Sequence, residues 1–549
     1  MTSSDANSPT SQPFVRGLFL GRLEAGTICP YPEPDAETAE TIDEIASMVT
    51  DWANESIDPV AIDEGKSIPD EVIEGLKELG LTGLTIPEEY GGAGMGQLAY
   101  AKVMEALSHR CASTVTVLGA HLGLGAKGVL LYGTDEQKQR WLPDLASGDR
   151  IAGFALTEAN AGSDAGALRT VAERDGDEWV LSGRKVWITN GKIANLFAVY
   201  ARTPHPSNPD ATIEERPVSA FMVSAEAAGF STGAPEDKMG LRGSSTTEVG
   251  LEEVRIPLDH LIGAEGEGFK VALNVLNGGR HGLAASCIGQ ARLARDLALA
   301  HSLEREQFGQ PIARFGMVRE MLAHMDADIY AMESSAWLVA GLMDRGGVET
   351  MLEAACCKMF ATDALWRIAN DALQVTGGTG FMREYPYERI LRDARINMIF
   401  EGTNQVLRMM LSTQGLRPLV RGESVESTAP VAFVGIDPKL QAEAGWIEEL
   451  VPRFAALARA AAETHGKGVR SAQHVLRRLS DAATALFCAS AVLARATSAL
   501  AAGTSTEQDI ALARLSSRMR VEEARAALGE EESPWDDLLE DVARHATGL

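Results

Sequence analysis

Three stretches of the chain carry residues whose types and spacing could do chemistry. The first, Met398-Ile-Phe-Glu-Gly-Thr-Asn-Gln405, sets one carboxylate, Glu401, between apolar residues and a glycine. A carboxyl group taken out of water in such a place has a raised pKa and can act as a base near neutrality. The second, Lys185-Val-Trp-Ile-Thr-Asn-Gly191, puts Trp187 in a β-type run, where its ring could stack on a flat cofactor while Thr189 hydrogen-bonds it. The third, Phe154-Ala-Leu-Thr-Glu-Ala-Asn-Ala-Gly-Ser-Asp164, offers small hydroxyl residues and a glycine in a turn, a form that presents backbone N–H groups to a phosphate or a ring edge. Taken singly, each also reads as ordinary structure: a helix cap at Thr403 or Asn404, a core tryptophan, a strand turn.

Other signals carry less. Gly123-Leu-Gly-Ala-Lys-Gly128 satisfies G-x-G-x-x-G, but no β-α-β repeat surrounds it. It reads better as a helix whose small residues let another helix or a long apolar ligand approach. Adjacent Cys356 and Cys357 have no His or Asp nearby to complete a metal set. His121 and His281 have no Ser or Cys nucleophile at a recognisable spacing, so a hydrolase triad has no support.

The elements that must position these residues fall into blocks. Residues 1–13 form a polar tail, expected to be disordered. Within 14–150, Ile42, Ile45, Val49 and Trp52 recur at helical spacing, and a helix with Pro69 in its first turn is closed by Gly80. The texture turns to β at about Ile151. Trp179–Leu181 and Lys185–Ile188, split by Ser182-Gly183, read as a hairpin, and Phe197–Tyr200, Ser219–Val223 and Val249–Ile256 as further strands. Block 151–262 is thus an antiparallel β domain. Long helical patterns return across 263–414 (about 268–305, 318–343, 348–374 and 403–413). A Gly/Pro-rich linker is expected at 415–437, and an extra helical domain at 438–549. The fold class is α+β, mainly α.

Composition limits the function. The 549 residues leave room for three or four domains, and 45% apolar with 23% charged residues is globular. Fifty Lys+Arg against 77 Asp+Glu leave a net charge of −27, which repels phosphate backbones, so no nucleic-acid partner is expected. No run reaches the roughly 18 apolar residues that span a bilayer, and no secretory signal is visible. Six scattered cysteines without CxxC fit reduced thiols in a cytoplasm.

Taken together, Pro87-Glu-Glu-Tyr-Gly-Gly92, Thr157-Glu158, Gly162-Ser-Asp164, Trp187-Ile-Thr-Asn-Gly191, Arg305-Glu-Gln-Phe-Gly309, Gln374-Val-Thr-Gly-Gly378 and Glu401-Gly-Thr-Asn404 resemble the landmarks of the acyl-CoA dehydrogenase family, in order and in register. The resemblance runs from about Phe14 to Leu419. Phe14–Pro32, Leu118-Gly-Ala-His121 and the helical extension are most similar to the very-long-chain branch.

The resemblance implies FAD, bound between the β domain and the second helical domain. Phe154, Leu156, Thr157 and Ser163 would lie along the flavin and its phosphates, with Trp187, Ile188 and Thr189 against the ring system. Arg305, Gln307, Phe308, Gln374 and Gly378 would meet the cofactor of a neighbouring subunit, and Thr403, Asn404 and Gln405 follow the base. For substrate, it implies Arg280 at the CoA portion with Asn277 one helical turn earlier, Ser163, Phe400 and Gly402 as further substrate contacts, and Gly119 and Gly123 where a long acyl tail ends. The implied reaction is α,β-dehydrogenation of a long-chain acyl-CoA in fatty acid β-oxidation. Glu401 takes the α-proton, and a hydride leaves the β-carbon for flavin N5. Gly279 stands where some branches carry the base. Electron-transfer flavoprotein as acceptor and a homodimer follow by resemblance, which also leaves room for weak peripheral membrane contact. An acyl-CoA oxidase and a respiratory-complex assembly role remain alternatives.

Overall fold

The computed structural model describes residues 13–423, 431–529, 542, 543 and 547. The chain divides into two compact units, one built from 35–311 and 365–401, the other from the described parts of 1–34, 312–364 and 402–549.

In the first unit, helix Ala36–Ser56 starts where the Asp35 side chain accepts the Thr38 N–H, and Asp70–Glu78 follows Pro69 as its cap. Helix Gln97–Arg110 precedes a continuous helical stretch of unusual build. Ala112–Leu118 is α, Gly119–Gly125 is a π-helical segment, and Ala126–Tyr132 is α again. The G-x-G-x-x-G residues therefore lie in a helix, not in a phosphate loop. The long helix Gly268–Glu304 packs directly on Gln97–Arg110. Glycine makes that approach possible: a Cβ on Gly282 would sit 2.5 Å from the Tyr100 ring, and one on Gly289 would sit 2.1 Å from the Glu105 carbonyl oxygen.

The β block is an eight-stranded sheet. Its strands are β1 (Ala152–Ala155), β2 (Val171–Asp175), β3 (Glu178–Ile188), β4 (Leu196–Arg202), β5 (Val218–Ser224), β6 (Phe230–Thr232), β7 (Thr247–Pro257) and β8 (Leu261–Ile262). The order is β6-β7-β3-β2-β4-β5-β8, with β1 beside β4. One expectation is corrected here. Residues 179–188 are not a hairpin but belong to the single strand β3, irregular in register with β7 between Leu181 and Gly183. The hairpin joins β2 to β3 through a two-residue turn with Gly176 at φ 61°. The sheet is also not purely antiparallel, because β1 and β4 pair in parallel. Trp179, Phe197 and Phe221 fill its core, fully buried.

In the second unit, helices Gly316–Arg345, Gln441–His465, Gln473–Ala501 and Glu507–Leu528 pack with residues 351–364 and Asn404–Val420. The extra C-terminal helices close on their own chain. Phe454 meets Phe19 edge-on at 4.9 Å, the Ser516 hydroxyl donates to the Ala327 carbonyl, and buried Arg520 pairs with Asp328 at 2.6 Å. Residues 14–34 thus belong with the C-terminal helices rather than with the N-terminal block 14–150. The stretch 415–437, read as a linker, is helical as far as Val420. Residues 424–430 and the tail up to 12 lie outside the described residues. Among the described residues, two helices, Ala112–Tyr132 and Gln473–Ala501, are long and apolar enough on average to cross a membrane, although neither is an unbroken apolar run. Most of each apolar window is buried inside the fold, 67% and 72%.

Candidate active site

Glu401 adopts φ 57° and Gly402 φ 85°. The left-handed region costs a non-glycine residue about 1–2 kcal/mol, so the surrounding structure holds Glu401 in place against its backbone preference. In the first unit its side chain lines a cavity of about 590 Å³, together with Tyr100, Thr189, Gly279 and Phe400. A carboxylate oxygen of Glu401 lies 3.4 Å from where a Cβ on Gly279 would be. Glycine at 279 leaves that space to the carboxylate, so Gly279 and Glu401 are spatial neighbours. Burial lowers the pKa of Arg280, and the Glu401 carboxylate partly offsets this; burial and then the same carboxylate raise the pKa of Tyr100. Arg280 also donates to Asn277 at 2.6 Å.

The cavity runs between helices Gln97–Arg110 and Gly268–Glu304. Tyr100 and Met104 face it from the first, and Gly279, Leu283, Ser286 and Gln290 from the second, all at one-turn or two-turn spacings along a single helix face. Of these residues the sequence reasoning named only Gly279, although the spacing of both rows was a readable signal. Gly119 and Ala120 line the cavity from the π-helical segment, but Gly123 does not. A Cβ on Gly123 would lie 3.0 Å from the Tyr100 hydroxyl, so that side of the segment is packed rather than open. Gly125 is likewise pressed on β1, where a Cβ would sit 2.4 Å from that of Ala152.

The π-helical segment is tied to the sheet by side chains. His121 Nδ1 accepts the Ala152 N–H at 2.9 Å, while Nε2 meets the Thr82 and Leu145 carbonyls at 3.1 and 3.0 Å. Nδ1 is the acceptor, so the proton sits on Nε2. Burial pushes the imidazole pKa down to about 4. Asn190 donates to the carbonyls of Val117 and Ala152. Neither histidine of the sequence reading faces a nucleophile; burial pushes His281 down to about 3.

The end of β3 presents the cofactor candidates. Trp187 is 61% exposed at φ 56°, which excludes the core-tryptophan reading. Thr189 faces the cavity of Glu401. Ile188, 2% exposed, points instead into the sheet core, because alternate side chains on a strand face opposite ways. Phe154 and Thr157 are partly exposed, Leu156 is buried, and Ser163 is exposed. A buried ion pair supports this edge. The wholly buried Lys185 ammonium donates to Glu158 at 2.7 Å, to the Tyr200 carbonyl at 2.7 Å and to the Leu156 carbonyl at 3.2 Å. Burial opposes ionisation of Glu158, but Lys185, Thr170 and the Arg169 N–H outweigh it and hold the carboxyl below its usual range. The more deeply buried ammonium is pushed down to about 8 despite that carboxylate.

Arg305, Gln307 and Phe308 are exposed around the tight hairpin 306–311, where Phe308 (φ 53°, 94% exposed) and Gly309 (φ 78°) make the turn. Gln374 and Gly378 are exposed as well. Thr403, Asn404 and Gln405 belong to the second unit. Thr403 caps helix Asn404–Val420 by accepting the Val406 N–H. The Asn404 side chain is committed inside the protein, to Lys358, Thr362 and Asp363, and only Gln405 of the three is exposed. Lys358 also donates to the Gly402 carbonyl at 2.9 Å, which pins the turn that follows Glu401.

Three domain families match consecutive parts of the chain: Acyl-CoA dehydrogenase, N-terminal domain (39–149), middle domain (153–254) and C-terminal domain (266–416). The chain belongs to the acyl-CoA dehydrogenase family. The ACAD9/ACADV, C-terminal domain matches 438–535. Human mitochondrial very long-chain specific acyl-CoA dehydrogenase is 35% identical over 96% of this chain and 86% of its own length. An acyl-CoA dehydrogenase of Bacillus anthracis, solved in complex with FAD, superposes with a TM-score of 0.83 at 30% identity, covering 93% of this chain and 91% of that one. A chain described as electron transferring flavoprotein of Acidaminococcus fermentans is 37% identical with a TM-score of 0.63, covering 68% and 98%.

Membership makes the chain an oxidoreductase that uses FAD. The residues present fit that group: the β3 end exposes a large aromatic face at Trp187 and sends Thr189 into the cavity that holds Glu401. Trp187 and Thr189 would hold the flat ring of that group at the end of β3.

Proposed function

We propose that the chain catalyses α,β-dehydrogenation of long-chain acyl-CoA, with Glu401 as the base that removes the α-proton. The observation that carries this is the placement of Glu401 and Thr189 on one cavity, with the cavity continuing between two helices away from the carboxylate. FAD, when bound, supplies the acceptor for the hydride that leaves the β-carbon. The protein's part is to hold the carboxylate. Gly279 leaves it room, the left-handed turn at Glu401 and Gly402 aims it, and Lys358 fixes the carbonyl that follows. A thioester α-proton is a weak acid, so the developing oxyanion needs donors placed in advance, and the N–H of Glu401 itself is the candidate on this chain.

Acyl chain length follows from the cavity. Gln290 lies eleven residues beyond Gly279, about 16 Å along the helix at about 1.5 Å per residue. At about 1.25 Å of length per C–C bond, from bond lengths near 1.5 Å and angles near 111°, that takes a chain to about carbon 15. Tails beyond twelve carbons are therefore accommodated. The same reading includes electron-transfer flavoprotein as acceptor, a homodimer and a cytoplasmic setting. The free thiols of all six cysteines support the last, and the exposed Phe308 supports a contact with a second copy. Anaerobic titration of the flavoprotein with acyl-CoAs of rising length tests the reading: palmitoyl-CoA should bleach the flavin faster than butyryl-CoA. Equal bleaching, or none, overturns it.

A further inference from the structure

The apolar cavity does not end on an apolar floor. Its far wall holds Ser286 and Gln290, both 4% exposed, and the Gln290 Oε1 is buried without a hydrogen-bond partner among the described residues. Among the described residues the amide makes only long hydrogen bonds, from Nε2 to the Ser286 carbonyl and hydroxyl, both 3.4 Å. A buried acceptor left unmade costs about 1–3 kcal/mol, so a fold that keeps one at the end of a ligand channel has a use for a donor there.

Beyond Gln290 and Ala112, which line both, lies a second cavity of about 360 Å³. The same two helices continue into it. Ser108 follows Met104 by one turn, and Leu293 follows Gln290 by about one turn. The first chamber is walled mainly by apolar residues, whereas the second adds Ser108, Ser113, Arg389 and Asp393. Charge in this chamber is largely spoken for. Asp63 is paired with Arg392 at 2.7 Å, the Arg110 Nε donates to the Ile57 carbonyl, and Asp393 accepts the Leu241 N–H at 2.6 Å. The wall's two carboxylates, Asp63 and Asp393, are matched by two guanidinium groups, Arg110 and Arg389, so it offers no net positive charge to an anionic guest, and a neutral donor suits the Gln290 amide oxygen.

We propose that the two chambers form one channel that selects acyl-CoA substrates whose tail carries a hydroxyl group near carbons 15 to 16, the hydroxyl donating to Gln290 Oε1. This rests on the acyl-CoA dehydrogenase reading above, and it names a finer substrate class for the same site. The carbon position follows from the rise of the helix between Gly279 and Gln290.

The test uses the flavin-loaded enzyme and three acyl-CoAs of equal chain length: palmitoyl-CoA, 16-hydroxypalmitoyl-CoA and hexadecanedioyl-CoA. Each is followed by flavin bleaching and by steady-state KM. One net hydrogen bond gives about a three- to ten-fold lower KM for the hydroxylated chain than for palmitoyl-CoA. Gln290→Leu and Gln290→Met, which remove the acceptor at similar volume, should bring that ratio close to one, with flavin content reporting that each variant is folded. Equal KM values for the two chains in the native enzyme overturn the proposal. So does a ratio that survives in both variants, or a preference for the dicarboxylate. Failure of palmitoyl-CoA itself to bleach the flavin removes the dehydrogenase reading beneath it, an outcome distinct from a lost hydroxyl preference.

Discussion

Ser286→Phe should shorten the acyl chamber by a defined length. Ser286 faces the cavity seven residues beyond Gly279. That is about 10 Å along the helix, or about eight C–C bonds past the α-carbon. A phenyl ring there stops a straight tail near carbon 10. Palmitoyl-CoA then has about six carbons with nowhere to go, each worth about 0.8 kcal/mol when buried. The loss is about 4–5 kcal/mol, about a thousand-fold in kcat/KM. Shorter tails end before the ring, so the effect is read in the ratio of palmitoyl-CoA to octanoyl-CoA, measured by anaerobic flavin bleaching across even chain lengths. The ring also overpacks a helix interface at a cost of about 1–3 kcal/mol, which thermal melting and flavin content record separately. The ratio should fall by about 10²–10³. An unchanged ratio would mean that the tail does not follow the face of residues 279, 283, 286 and 290, and the length argument would be refuted.

Glu401→Gln should retain flavin and lose substrate-driven bleaching by about 10²–10⁴ or more, the range for a removed proton-transfer group; a near-native rate assigns the base elsewhere. Lys185→Met leaves Glu158 buried without its ammonium and should cost about 3–5 kcal/mol in chemical denaturation, with weaker flavin retention because the Leu156–Glu158 turn loses its anchor. His121 has a folded pKa of about 4 against about 6.5 unfolded, so the unfolded chain binds the extra proton between those values. Its contribution is complete above about pH 6.5 and disappears as the pH falls towards 4, up to about 3 kcal/mol. Calorimetry should show His121→Gln melting with a flatter acid dependence than the native protein, and parallel curves would contradict this. Light scattering should find the full chain a dimer. Deleting residues 438–549 uncovers Phe19, Asp328 and Glu333 and should give larger species or aggregation, so a soluble dimeric truncation would oppose the assigned role of the extra helices.

Much of this molecule is local and was therefore readable from the chain. The block order, the long helices and the strands around 197, 219 and 249 rest on periodicity, which is a property of consecutive residues. Glu401, Trp187 and Thr189 stand in short motifs whose types and spacing survive as text. The failures have a common cause. Ser182-Gly183 looks like a turn, yet β7 supplies partners on both sides of it and the strand runs through. Local pattern also does not give where the side chains of Ile188 and Asn404 point, because packing against the sheet core and against Lys358 decides it.

The residue types able to do the chemistry, and the helical or extended form of most segments, were determined by the sequence alone, because those depend on side-chain chemistry and near-neighbour sterics. Which residues share a cavity was decided only by tertiary structure. Gly279 beside Glu401, Tyr100 behind Gly123, His121 locking a π-helical segment to β1, and Gln290 at the meeting of two chambers all join positions tens to hundreds of residues apart. Contacts of that kind arise from the packing of whole faces against each other; spacing along one helix tells which residues share a face, but not what that face meets.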